Sequence, residues 1–248
     1  VEEMIITSGA TLAGSQLSGK AYAIKAAAAN GTLNVHVVNA NNATAITTDL
    51  SGLNFSTSTT SNFSSVVING LNNVADTIKA TKMNDTIDAG DGAKDVIDIS
   101  TGGNDIIIVN AGDSTYATGA DKMDAITGFN AATKDGGADL LKFATAGAIA
   151  TKNTAAVDVK SAITNGTNLE SVKAEIDAKG ILTISGKDVG QIDTLAEWMK
   201  VAAMAINDVN GDGTTGDAVA GETVAFQFSG NTYVYHVETV DGSSDVAN

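Results

Sequence analysis

Apolar and polar residues alternate along the first seventy residues, which is the period-two pattern of half-buried β-strands. The alternation is clearest at Leu33, Val35 and Val37, and helical periodicity is absent from this segment. The pattern predicts a β-rich segment over 1–73. Its strands are predicted at 21–26, 32–39, 42–50 and 64–70.

The last hundred residues follow a different pattern and predict an α+β region over 144–248. Thr194 and Glu197 have the spacing of a helix capping box, with Asp193 as an alternative cap, and an apolar stripe follows them. Residues 155–178 mix short helical and loop signals. Strands are predicted at 181–186, 224–228 and 232–237, the last two forming a hairpin.

Between these segments, over 74–143, a short motif repeats: an Asp, any residue, then Ile. Its four rows are VADTIK, MNDTID, AKDVID and GNDIII, nine or ten residues apart, and glycine-bearing turns separate the later rows. The repeated aspartates are Asp76, Asp85, Asp95 and Asp105, and the isoleucines are Ile78, Ile87, Ile97 and Ile107.

A row this short buries too little apolar surface to be stable alone, so successive rows must stack. We expect Ile78 and Ile97 in one sheet and Ile87 and Ile107 in another. The turns that hold Asp76 and Asp95 then lie on one edge of the stack, and those that hold Asp85 and Asp105 on the other.

Stacked carboxylates at strand spacing repel one another unless a cation lies between them. Residues 76–139 contain twelve Asp and five Lys, a local charge of −7. A hard cation bound by carboxylates and turn carbonyls fits this composition, and Ca²⁺ tolerates irregular geometry better than Mg²⁺. The alternative is a solvated acidic face with ordinary turn chemistry. Beside the repeated aspartates, the candidate metal ligands are Asp91, Asp113, Asp124, Gly90, Gly92, Gly102 and Asn104.

These rows resemble the calcium-binding nonapeptide repeats of RTX (repeats-in-toxin) proteins, whose pattern is GGxGxDxUx with U a large aliphatic residue. The resemblance covers about residues 76 to 110, and DAITGF and GGADLLKF resemble the flank that follows such repeats. It implies a mainly β fold with a short parallel β-roll, or β-solenoid, whose turns bind Ca²⁺.

A second candidate metal loop lies between the predicted helix and the hairpin. Asp208, Asn210 and Asp212, followed by Gly213, have the D-x-N-x-D-G order of an EF-hand loop start. The twelfth position is Val219 in place of the bidentate Glu, so either Asp217 or Glu222 would have to supply the missing carboxylate. The alternative is a polar turn.

The composition restricts the function further. A net charge of −15 argues against nucleic-acid binding, and no segment is long and apolar enough to span a membrane. The chain contains no Cys, and its two His do not have the spacing of a metal-binding motif. No catalytic motif is recognisable either. We therefore expect a protein that is not an enzyme.

Low cysteine content, acidity, richness in Thr, Ala, Asn and Gly, and the repeat together resemble RTX-type S-layer (surface-array) proteins of Gram-negative bacteria. The resemblance implies a secreted, self-assembling structural protein of the cell surface that uses a type I pathway. Its expected partners are other copies of itself and a surface polysaccharide such as lipopolysaccharide. The alternative is the calcium-binding, export-directing C-terminal region of a type I secreted enzyme or adhesin.

Overall fold

A computed structural model describes residues 2–8, 23–24, 31–39, 47–51, 54–55, 63–117, 120–131, 138–145, 148–164, 166, 168–208, 211–213 and 216–238. The described residues are mainly β, with parallel sheets and one α-helix. None of their helices has the length and apolar character needed to span a bilayer. The chain divides into two compact units, Val1–Ala144 and Thr145–Asn248.

The first unit is built from short strands. They are β1 (Glu2–Ser8), β2 (Ala23–Ile24), β3 (Gly31–Asn39), β4 (Thr47–Asp49), β5 (Asn54–Phe55), β6 (Phe63–Asn69), β7 (Thr77–Lys79), β8 (Asn84–Asp88), β9 (Val96–Asp98), β10 (Ile106–Val109), β11 (Thr115–Ala117), β12 (Ala120–Lys122), β13 (Ala125–Thr127) and β14 (Leu140–Phe143). All four strands predicted over 1–73 are present in the described residues.

Two parallel sheets organise this unit. One has six strands in the order β1-β3-β6-β8-β10-β14, and the other has four in the order β13-β9-β7-β4. From β6 to β10 the chain alternates strictly between the two sheets, and after the β11–β12 hairpin it continues with β13 in one and β14 in the other. Ile78 pairs in register with Ile97, and Ile87 with Ile107, which confirms the predicted assignment of these side chains to two sheets.

The two sheets share one apolar core. The repeated isoleucines are at most 1% exposed, and each contributes about 1.5–3 kcal/mol through burial. The rows therefore stack because each one completes the apolar surroundings of its neighbours. The buried core residues are Leu50, Val66, Ile68, Ile78, Ala80, Ile87, Ala89, Ile97, Ile99 and Ile107.

The turn before β10 requires glycine at position 103. Gly103 has φ 126°, and a Cβ at this position would collide with the carbonyl oxygen of Met83. Its neighbour Gly102 also has a positive φ of 105°, but open space surrounds the position of its Cβ. The backbone thus approaches the preceding turn most closely at Gly103.

The second unit combines short strands with one helix. Its elements are β15 (Ala148–Ile149), β16 (Val157–Asp158), a 3₁₀ turn (Lys160–Ala162), β17 (Lys173–Ile176), β18 (Leu182–Ser185), a second 3₁₀ turn (Val189–Gln191), α1 (Leu195–Asn207), β19 (Glu222–Phe228) and β20 (Asn231–His236). The predicted strand at 181–186 and the hairpin are confirmed as β18 and β19–β20. The mixed helical and loop interpretation of 155–178 is wrong for β17, where Val172, Ala174 and Ile176 are buried alternately with more exposed neighbours.

Helix α1 begins as the sequence predicts. Thr194 is the N-cap, and its side chain and that of Glu197 form both hydrogen bonds of a capping box, so Asp193 is not the cap. The Trp198 ring stacks on Phe226 with centroids 5.4 Å apart, and Phe226 stacks in turn on Tyr233 at 5.5 Å. Trp198 is therefore a packing residue.

Candidate metal centre

Three aspartates on one edge of the first unit are linked by hydrogen bonds from row to row. The backbone N–H of Asp76 donates to Asp95 Oδ1 at 2.6 Å, and the N–H of Asp95 donates to Asp124 Oδ1 at 2.9 Å. We call Asp76, Asp95 and Asp124 the first ladder. Asp76 Oδ2 itself accepts the N–H of Leu71 at 2.7 Å.

A second ladder runs along the opposite turns through Asp85, Asp105 and Asp139. The N–H of Asp85 donates to Asp105 Oδ1, and the N–H of Asp105 donates to Asp139 Oδ1, each at 2.8 Å. At the start of this ladder Asp85 accepts the N–H of Thr81 at 2.7 Å, and at its end Asp139 accepts the N–H of Asn130 at 2.7 Å. Every carboxylate of the second ladder therefore holds a backbone amide.

The repeated aspartates are buried, since Asp76 is 2% exposed and Asp85, Asp95 and Asp105 are each 1% exposed. They do not form a solvated acidic face. The Asp-x-Ile pattern therefore has two structural roles: the isoleucine fills the core, and the aspartate accepts a backbone amide. Asp95 and Asp105 accept the amide of a neighbouring row, whereas Asp76 and Asp85 accept one from the turn that precedes them.

Burial makes these carboxylates difficult to ionise. Desolvation raises the pKa of Asp85 to about 7, against the opposing hydrogen bond from Thr81 and with a further rise from Asp105. Desolvation likewise raises the pKa of Asp95 to about 7 and that of Asp105 to about 6, with neighbouring carboxylates adding to both shifts. The pKa of Asp124 is also raised to about 7 by burial. Without a counter-ion, ionisation of the ladder carboxylates therefore destabilises the folded first unit.

The two edges differ in how completely their carboxylates are paired. On the first edge, Asp91 Oδ1 and Asp95 Oδ2 are buried and accept no hydrogen bond from the described residues. Asp113 is also buried there. Burial raises its pKa, and the charges of Asp88 and Asp91 raise it further. We call Asp91, Asp95, Asp113 and Asp124 the acidic edge.

The glycines predicted as ligands divide between the two edges. Gly90 and Gly92 flank Asp91 in the turn before β9, with φ of 99° and 84°. This turn stacks on the preceding one, because the N–H of Asn73 donates to the carbonyl oxygen of Asp91 at 2.6 Å. Gly102 and Asn104 lie in the turn before β10, on the edge of the second ladder. The sequence-predicted set is therefore two separate groups.

The acidic edge offers carboxylate and carbonyl oxygens, which are the ligands that hard cations prefer. Among the described residues no three His, Cys, Asp or Glu side chains form a ready-made metal site, so backbone carbonyls would have to complete the ligand set. Ca²⁺ accepts such mixed carboxylate and carbonyl ligands. The buried oxygens of Asp91 and Asp95 are the observation that supports the fit, since such atoms are rarely left without a partner.

The loop after α1 holds the second candidate group. Asp208 caps the helix C-terminus; its Oδ2 accepts the N–H of Gly213 at 3.1 Å, and its Oδ1 is buried without a hydrogen-bond partner among the described residues. Asp212 and Asp217 lie in the same loop, and Asn210 lies outside the described residues. Glu222 is engaged elsewhere, because it accepts the N–H groups of Thr151 at 3.0 Å and Val219 at 2.8 Å.

Asp139 is the ladder residue absent from the sequence-predicted ligand set. The signal was present, since Asp139 stands two positions before Leu141 as Asp105 does before Ile107. In β14, Leu141 pairs in register with Ile107. Likewise, Asp124 precedes Ile126, which pairs with Ile97. Both flanking motifs therefore continue the repeat with longer spacings.

Comparisons of the chain with protein-family models, curated proteins and solved structures each found no match.

Proposed function

We propose that the chain is a calcium-dependent structural protein of the bacterial cell surface, whose residues 74–143 form an RTX-like parallel β-roll. The alternation of the chain between two parallel sheets supports the roll, as does the single core that both sheets share. A short row in each sheet, joined by turns at both edges, is the arrangement that such a repeat favours.

The observation that carries the calcium proposal is the pair of buried, unpartnered carboxylate oxygens on the acidic edge, Asp91 Oδ1 and Asp95 Oδ2. A buried carboxylate is costly when it is ionised and unpaired. Ca²⁺ would supply both the missing charge and the missing contact, and Asp113 and Asp124 lie on the same edge to share it. The second ladder needs a metal less, because no oxygen of Asp85, Asp105 or Asp139 is buried without a hydrogen-bond partner.

Calcium binding of this kind is linked to folding. The acidic edge exists only when the rows are stacked, so a metal that binds there stabilises the folded chain by mass action. A chain of this kind stays unfolded where calcium is scarce and folds where calcium is abundant, outside the cell. This linkage suits export of an unfolded chain through a type I pathway.

Self-assembly is the second part of the proposal. A chain with a net charge of −15 resists association with its own copies unless cations neutralise the facing surfaces. Extracellular calcium, which also completes the fold, would promote the contacts of a surface layer. Attachment to lipopolysaccharide or another surface polysaccharide would then involve a region that is separate from the ladders.

Sedimentation velocity in micromolar and in millimolar calcium tests the proposal. The wild-type chain is expected to associate only in millimolar calcium, and Asp95→Asn combined with Asp105→Asn is expected to lower both calcium uptake and association. Asp98→Asn is the control, because it removes one negative charge from an aspartate outside the ladders whose hydrogen bonds come from Ser100. A chain that binds calcium but stays monomeric would favour the secreted-tail alternative, and a chain that binds none would refute both.

A further inference from the structure

Asp208 is a buried acid at the C-terminal end of α1. It follows the last residue of α1, at the negative end of the helix dipole, where carboxylates are destabilised and cations are stabilised. The residue is only 7% exposed, and no lysine of the described residues forms an ion pair with it. A buried acid at this end of a helix needs a positive partner.

The Asp208 carboxylate faces the loop that follows it. Its Oδ2 accepts the N–H of Gly213, which directs the group into the loop, while its buried Oδ1 has no hydrogen-bond partner among the described residues. This unpartnered oxygen is independent of the D-x-N-x-D-G sequence order and itself indicates a missing ligand.

The described residues after Asp208 return to the end of α1. The N–H of Gly216 donates to Asn207 Oδ1 at 2.8 Å, and the N–H of Asp217 donates to the Asn207 carbonyl oxygen at 3.2 Å. Gly211 and Gly213 have φ of 70° and 82°, which glycine adopts without the steric strain that a Cβ would cause. The ends of the loop therefore meet at the helix terminus.

We infer that the C-terminal end of α1 and the described residues that follow it, 211–213 and 216–217, form a cation site in the second unit, for a hard divalent ion such as Ca²⁺. Asp208 Oδ1 is the anchoring ligand, and carboxylates or carbonyls of Asp212 and Asp217 are the further oxygen donors. The ion neutralises the helix terminus and fixes the loop to it. This site belongs to a different unit from the acidic edge and does not depend on the function proposed above.

The single tryptophan gives a signal that is specific to this unit. Trp198 lies in α1 and stacks on Phe226 of β19, so its fluorescence reports the unfolding of the second unit. The experiment compares thermal unfolding by this signal in excess EGTA and in millimolar CaCl₂. The full chain is used as wild type, as Asp208→Asn, and as the control Asp193→Asn, which removes an exposed charge from the same unit.

Calcium is expected to raise the wild-type and Asp193→Asn midpoints by about 5 °C or more. It is expected to leave the Asp208→Asn midpoint unchanged. In EGTA the Asp208→Asn midpoint should equal or exceed that of wild type, because the variant keeps the bond to Gly213 and removes an unpaired buried charge. A calcium response that survives in Asp208→Asn, or that is absent from wild type, overturns the inference.

Two further variants separate this site from the ladders and guard against misfolding. Asp212→Asn combined with Asp217→Asn changes two acids that are not buried, and should weaken calcium binding by about tenfold or more in calorimetry. Asp95→Asn combined with Asp105→Asn should leave the Trp198 response intact. If the ladder variant abolishes that response and the loop variants do not, the inference fails while the proposed function stands.

Discussion

Acidification of the calcium-free protein, from about pH 8 to about pH 5, is expected to stabilise the first unit. The pKa of Asp85 is raised by burial from 3.8 to about 7, so the folded chain binds a proton at a pH where the unfolded chain does not. A carboxyl group whose pKa is raised by folding contributes stability that is fully present below its pKa in the unfolded chain. This stability is lost as the pH rises through the folded-state pKa of about 7.

The contribution of Asp85 by itself can be calculated from its pKa. At about pH 5 the group is about two units below its folded pKa, which at 1.36 kcal/mol per unit corresponds to about 2.7 kcal/mol. At about 3 °C per kcal/mol this corresponds to a rise of about 8 °C in the unfolding midpoint. Asp95, Asp105 and Asp124 shift in the same direction but titrate together with their neighbours, so they are not added separately.

Thermal unfolding in EGTA, followed by far-UV circular dichroism, measures this effect, and Trp198 fluorescence identifies the transition of the second unit. Asp85→Asn should remove the share of the pH dependence that belongs to Asp85, about 8 °C between about pH 8 and about pH 5, and raise the midpoint at about pH 8. Asp98→Asn is the matched control, because hydrogen bonds from Ser100 lower the pKa of Asp98 and it stays ionised throughout this range. Millimolar calcium should flatten the profile, since the metal binds the ionised carboxylates.

The titration of Glu197 and of His236, both in the second unit, does not mask this result. The pKa of Glu197 is lowered to about 2, mainly by hydrogen bonds from Thr164 and Thr194 that outweigh its burial, so it stays ionised above about pH 5. The pKa of His236 is lowered by burial, which destabilises the second unit on acidification. A first-unit midpoint that is constant or falls between about pH 8 and pH 5, or a full pH dependence in Asp85→Asn, would refute the reasoning.

Two more substitutions test the packing. Gly103→Ala should cost about 3 kcal/mol or more in urea unfolding, because strain and a backbone collision add, whereas Gly102→Ala should cost about 1 to 2 kcal/mol from strain alone; equal losses would contradict the close approach at this turn. Thr194→Ala should cost the second unit about 1 kcal/mol by Trp198 fluorescence, through loss of the capping box. An unchanged midpoint would show that the cap is dispensable.

The sequence predicted the strands well where one residue type recurs at the spacing of the rows. The Asp-x-Ile spacing placed four isoleucines in their two sheets, because a period set by stacked rows appears directly in the chain. β17 was missed although Val172, Ala174 and Ile176 alternate with charged residues, since small side chains and flanking helix formers weakened the strand signal.

The hydrogen bonds that define the candidate sites could not be predicted from the sequence. Which amide each ladder aspartate accepts depends on the stacking of rows about twenty residues apart. Similarly, the Glu197 carboxylate binds Thr164, 33 residues away, in addition to its predicted cap. Such contacts follow from packing, and spacing along the chain carries no signal for them.

The aspartate ladders also give the first unit a direction. In both ladders the carboxylate belongs to the later row and the amide to the earlier one, from Asp124 and Asp139 back to Asp76 and Asp85. Each row is therefore finished by the row that follows it. A chain that emerges with its amino terminus first always leaves its newest row incomplete. When a chain emerges with its carboxyl terminus first, each new row finds the accepting carboxylate already in place. The rows then stack in order from the carboxyl-terminal end of the unit towards its amino-terminal end.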